Sequence, residues 1–194
     1  MTSMNRPEWR IYLGRIPYAE RGDFWVSFES DSSLKKTKAN IYGRCLPCIQ
    51  NLYRQLKHGY TEITLGSAYN CWKITAIVKG VEECLSLLSE FEKRFPVGHV
   101  YGKFGSGQAD SETRVVVFHT ENAGERDRIR QALEECLPEI DTNGKVQISR
   151  ACAVLYHDIL GDWRRWQPTT TIKYPANAGR LLERIKNILY RAVI

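Results

Sequence analysis

No stretch of this 194-residue chain approaches the ~20 consecutive apolar residues that a membrane-spanning helix needs. The opening Met1–Arg10 has no apolar core either, because Arg6, Pro7 and Glu8 interrupt it, so it does not read as a signal peptide. These absences lead us to expect a cytoplasmic protein with no membrane partner. Linkers, low-complexity tracts and heptad repeats are also missing. The expectation is one globular unit over residues 1–194, with 9–106 and 107–194 as candidate halves.

Ready-made catalytic signatures are absent as well. None of the four histidines (58, 99, 119 and 157) sits in an H-E-x-x-H or a triad pattern. Asp110 and Glu112 are too isolated to suggest a metal site, so no metal and no cofactor is expected. The six cysteines are scattered, and no second pair stands at zinc-ligand spacing. Without a secretory context they read as buried thiols rather than a disulfide framework.

The most informative absence is local. Residues 32–61 contain no Asp or Glu, while Lys35, Lys36, Lys38, Arg44, Arg54 and Lys57 supply six positive charges. That equals the net charge of the whole chain, +6 from 28 basic and 22 acidic residues. After Asp162 a second basic stretch holds Arg164, Arg165, Lys173, Arg180, Arg184, Lys186 and Arg191 against Glu183 alone. From Asp110 to Asp141 the balance reverses. Such segregation suits a molecule with one positive face turned to an anionic partner.

Apolar periodicity supplies the fold class. Trp9–Ile16 and Asp23–Ser30 read as strands, with Phe24, Val26 and Phe28 on one face and Trp25 on the other. Ile49, Leu52, Tyr53 and Leu56 have helical spacing, and Gly59 stops the run. Tyr60–Leu65 and Cys71–Lys79 read as a hairpin joined by Gly66–Asn70. Val81–Phe95 is a clear amphipathic helix, and Val100–Gly105 a strand.

Arg114–Thr120, with Val115–Phe118 in one apolar run, reads as a central strand. Asn122 with Glu125 opens a helix that Pro138 should end. Lys145–Ser149, Ala151–Leu160, Thr170–Tyr174 and Asn177–Ile194 follow as strand, helix, strand and basic amphipathic helix. The order strand, helix, strand, strand, helix, strand from Asp23 to Ser106 is that of a ferredoxin-like split βαβ core. The expectation is therefore an α+β protein with an antiparallel sheet, extended by a second βα half.

A basic face with interleaved aromatics suits nucleic acid, and unpaired RNA bases more than duplex DNA. The residues nominated are Lys35, Lys36, Lys38, Tyr42, Arg44, Arg54 and Lys57, then Lys103 in the Gly-rich run, and Arg164, Arg165 and Trp166. Metal-free RNA cleavage needs only a base and a nearby acid or cation, which makes His58 and His157 (followed by Asp158) candidate catalysts. Two other readings stand beside this one. Cys45-Leu46-Pro47-Cys48 at a helix start has the C-x-P-C form of a thiol-redox site. A sheet face could also serve small-ligand binding or subunit interaction, including homodimerisation.

Overall fold

A computed structural model describes residues 10–13, 24–29, 45–95, 100–106, 113–150 and 153–193. The chain is mixed α+β, with two sheets among these residues.

The larger sheet takes β1 (Arg10–Leu13), β2 (Phe24–Glu29), β4 (Trp72–Val78), β5 (Tyr101–Ser106), β6 (Arg114–Thr120) and β7 (Lys145–Arg150). It runs in the order β1-β2-β5-β6-β4-β7, and every neighbouring pair is antiparallel. Alternation sends Val26 and Phe28, Ile74, Ala76 and Val78, Phe104, and Val116 and Phe118 to one face. Two helices cover that face. α3 (Val81–Arg94) contributes Cys84, Leu87, Leu88 and Phe91, and α4 (Ala123–Ile140) contributes Ile129, Ala132, Leu133, Cys136 and Leu137. Phe118 is the aromatic hub, 5.0 Å from Phe28 and 4.6 Å from Phe91 between ring centres.

A second core is built mostly from helices. α1 (Cys45–Lys57) buries Cys48, Ile49, Leu52 and Leu56 and packs on α6 (Ala178–Val193), which buries Leu181 and Ile185. α5 (Ala153–Leu160) inserts Tyr156, whose hydroxyl donates to the Cys48 carbonyl at 3.0 Å. β3 (Glu62–Thr64) and β8 (Thr169–Thr171) form a separate two-stranded sheet under this core. The one-turn helix α2 (Ser67–Asn70) then leads through Cys71 into β4.

The expected hairpin between Tyr60–Leu65 and Cys71–Lys79 is not formed. β3 pairs with β8 instead, and β4 lies between β6 and β7. Gly66, at φ 55° and ψ −132°, and the α2 turn redirect the chain between the two strands. Gly66–Asn70 is thus a change of direction, not a hairpin loop. The frame Asp23–Ser106 consequently does not assemble as one strand–helix–strand–strand–helix–strand sheet. Nor does either core end at 106–107: β5 and β6, on the two sides of that point, are sheet neighbours.

Other boundaries differ less. α4 continues past Pro138 to Ile140, because a proline in the last turn costs one main-chain bond without forcing the helix apart. Asn122 caps it, its side chain accepting from the amides of Gly124 at 2.8 Å and Glu125 at 3.2 Å. The Glu125 carboxylate turns to the Thr120 hydroxyl instead of back to Asn122. Leu34–Gly43 lies outside the described residues. Among those residues no helix is long and apolar enough to cross a membrane.

Candidate nucleic-acid interface

The two cores divide the charge of the chain unequally. The segments of the second core, 45–70 and 153–193, carry Arg54, Lys57, Arg164, Arg165, Lys173, Arg180, Arg184, Lys186 and Arg191. Against these nine cations stand four acids: Glu62, Asp158, Asp162 and Glu183. The described segments of the larger sheet and its two helices hold twelve basic and twelve acidic residues. The described positive excess therefore sits on one of the two bodies.

Within the second core the acids neutralise little. Arg164 pairs with Asp162 at 3.2 Å, Arg184 with Asp158 at 3.3 Å and Lys186 with Glu183 at 3.8 Å, all between substantially exposed side chains. Among the described residues Arg54, Lys57, Arg165, Lys173 and Arg180 make no ion pair. Asp162 accepts the Arg164 amide at 3.1 Å, and that bond, with the nearby guanidiniums, holds its carboxyl below the usual carboxylate range.

Arg54 and Lys57 are exposed in the last turn of α1, where cations also suit the carbonyl end of the helix. Beside them the surface is indented. A depression of about 370 Å³ is lined by Asn51, Arg54, Gln55, His58, Tyr60 and Thr64. A second, of about 390 Å³, is lined by Gly59, Tyr60, Thr61, Glu62, Thr64 and Thr169. Tyr60 belongs to both and is 56% exposed. The floor is rigid: Gln55, on α1, bonds both main-chain groups of Thr64, accepting its N–H at 2.7 Å and donating to its carbonyl at 3.0 Å. Asn51 adds a further bond to that carbonyl at 2.9 Å.

His58 closes the rim. Its Nδ1 lies 2.7 Å from the Arg54 carbonyl oxygen, which only accepts, so Nδ1 is the donor and, in the tautomer this selects, Nε2 is the basic nitrogen. His157 is exposed on α5, but a His157–Asp158 pair is not made: Asp158 turns to Arg184.

The remaining nominated residues fall as follows. Arg164 and Arg165 are exposed on the 3-10 turn Trp163–Arg165, with Arg164 4.9 Å from the Trp163 ring centre. Trp166 is a correction. It is 3% exposed in the second core, its Nε1 donating to the Gly161 carbonyl at 3.1 Å, so no base can stack on it. Lys103 lies within the strand β5 between Gly102 and Gly105, and its Nζ lies 3.9 Å over the Trp25 ring. Cys45 is half-buried; Cys48 is buried with its thiol 3.3 Å from the Ser67 hydroxyl. Lys35, Lys36, Lys38, Tyr42 and Arg44 lie outside the described residues.

Two features escape sequence reasoning. Tyr60 reads there as part of a strand; the usable signal is an aromatic directly after the helix-stopping Gly59. The other is a cation–aromatic cluster where the two cores meet. Arg150 is 7% exposed, 3.6 Å from the Trp72 ring centre and 4.2 Å from that of Tyr69. Arg126 lies 4.2 Å from the same indole, and Trp163 meets it edge-on at 5.8 Å. Burial holds the Arg150 guanidinium below its ordinary pKa; the Tyr69 side chain, through charge and a hydrogen bond, works against that shift, and Arg126 works with it. Its alternation was legible: Val146, Ile148 and Arg150 fall on the inward face of β7, a charge where an apolar residue belongs.

The chain matches no protein-family model, no curated protein and no solved structure.

Proposed function

We propose that this protein binds single-stranded or structured RNA through the positive face of its second core, with the indented surface around Tyr60 as a docking point. The observation that carries the reading is the charge partition: nine cations against four acids on one body, and a balanced count on the described part of the other. Lys and Arg that lack carboxylate partners are available to phosphates, and neutralising a phosphate backbone releases its condensed counterions. Tyr60 supports RNA over duplex DNA, because an exposed ring between depressions offers a stacking surface to an unpaired base.

The same reading extends to chemistry at one residue. A proton fixed on Nδ1 leaves His58 Nε2 as a general base for a 2′-hydroxyl, with Arg54 beside it as the cation for a developing phosphorane charge. On fold, the order strand, helix, strand, strand, helix, strand from Trp72 to Arg150, laid out as β5-β6-β4-β7 with both helices on one face, supports a ferredoxin-like unit there.

The test is a salt titration of RNA affinity. Wild type should bind single-stranded RNA with a steep negative dependence on log salt. Arg54→Ala with Lys57→Ala should reduce that slope by roughly 1.4, about 0.7 for each single-strand phosphate that is no longer neutralised. Tyr60→Ala should weaken binding about tenfold without changing the slope. Undetectable binding at low salt, or an unaltered slope in the double variant, refutes the assignment.

A further inference from the structure

Arg150 ends β7 as the third inward position after Val146 and Ile148, and it is more than nine-tenths buried. Two aromatic rings lie against its guanidinium, Trp72 from the same sheet and Tyr69 from the second core. Only the edge of the group is left for hydrogen bonding, and among the described residues Nε and Nη1 have no acceptor. No ion pair among those residues includes Arg150. Arg126 brings a second guanidinium to the same indole, and the exposed Asp127 accepts from its Nε and Nη2 at 2.8 Å each.

A guanidinium does not shed its proton to escape burial. A buried charge with neither counter-ion nor full hydrogen bonding is among the costliest arrangements in a protein, and cation–π contact offsets only part of it.

We propose that the junction of the two cores is a binding site for a phosphate-class oxyanion, with Arg150 donating from Nε and Nη1 and Arg126 supplying a second positive charge. Arg150 and Arg126 both lie on the Trp72 ring with Asp127 the only carboxylate bonded to either among the described residues, and the planar N–H donors of a guanidinium match oxygens on a tetrahedral centre. The site draws Trp72, Arg126 and Arg150 from the larger sheet and its helix, and Tyr69 and Trp163 from the second core. An anion held there ties the two bodies together. None of these residues lines the Tyr60 depressions, and the proposal does not depend on the RNA reading.

Inorganic phosphate titrated into the full chain at constant ionic strength, in chloride buffer, tests this. Two readouts are followed: the melting temperature, and the Nε–H cross-peak of Arg150 in a proton–nitrogen spectrum, assigned by its loss in Arg150→Lys. Wild type should show a saturable rise in Tm and a downfield shift of that cross-peak with a common midpoint. Arg150→Met, apolar and of similar length, should abolish the Tm response. Arg126→Gln should leave the Arg150 signal in place and weaken phosphate several-fold, which keeps the test decisive if Arg150→Met does not fold. Competition by a 5′-phosphorylated oligonucleotide, but not by its 5′-hydroxyl counterpart, identifies the source as a nucleic-acid end; competition by neither identifies a free phosphate. A wild type with no saturable response overturns the proposal. So does a response of equal size in Arg150→Met, which marks an adventitious ion only.

Discussion

Trp72 and Arg150 stand directly opposite each other in the β4–β7 ladder, and the guanidinium carbon of Arg150 lies 3.6 Å from the centre of the Trp72 ring. The chain passes between the two cores at the same place. Cys71 joins α2 to Trp72, and residues 151–152 join Arg150 to α5. One cross-strand pair is therefore both a sheet contact and the place where the chain crosses between the two cores. Four measurements test this contact and the packing around it and elsewhere in the two cores.

Trp72→Ala removes the ring against which both guanidiniums lie and opens a large cavity beside a buried charge. The expected cost is about 3–5 kcal/mol in urea unfolding, with Trp72→Phe losing roughly 1–2 kcal/mol because one ring remains. A cost below about 1 kcal/mol for the alanine variant would show that the cluster does not hold the cores together.

Gly102 is required by close approach. A Cβ built there would stand 2.0 Å from the Val117 carbonyl oxygen and 2.5 Å from the Phe28 ring. Gly102→Ala should destabilise by about 3 kcal/mol or more, since backbone and a core ring must both move. Gly66→Ala has open space around its Cβ and meets only the backbone strain of φ 55° with ψ −132°, so about 2 kcal/mol is expected. Equal costs in a thermal denaturation comparison would contradict the packing described.

Gln55 acts as a substitute strand partner for Thr64, with its amide taking the place of a neighbouring main chain. Gln55→Leu fits the buried position but leaves both Thr64 groups without that partner. A loss of about 1–2 kcal/mol is expected, with faster hydrogen exchange at the Thr64 amide. Unchanged protection of that amide would remove Gln55 from this role.

Cys84 is fully buried under α3, and burial together with Glu83 pushes its thiol up to about 12. A raised folded-state pKa means the folded protein keeps a proton that the unfolded chain has lost. This contribution to stability is whole below about pH 8.5 and is lost as pH climbs towards 12, at up to about 1.4 kcal/mol per unit. Cys84→Ala should flatten the alkaline limb of a stability–pH curve. Iodoacetamide at pH 8 should modify Cys84 only after unfolding; rapid labelling of the native protein would contradict its burial.

Much of the secondary structure was written locally. The stripe Cys84, Leu88 and Phe91 specifies α3, and the run Val115–Phe118 marks β6 as an interior strand; both follow from periods of 3.6 and 2 that need no distant partner. The charge excess of the second core was visible in part, as the Arg54–Lys57 end of the acid-free run and the basic carboxy-terminal stretch.

Pairing was not local. β3 shows the same alternation whether it meets β4 or β8, and the choice of β8, about a hundred residues away, rests on the turn at Gly66 and on burying Ile63 and Leu65 in the helical core. Tyr60, Trp166 and Arg150 make the same point at the level of single side chains. Sequence determined what each segment would become and where charge would accumulate, because these depend on neighbours a few positions away. Only the tertiary structure decided that Trp166 is buried, that Tyr60 stands between two depressions and that Arg150 lies stacked at the junction, because burial depends on which surfaces meet.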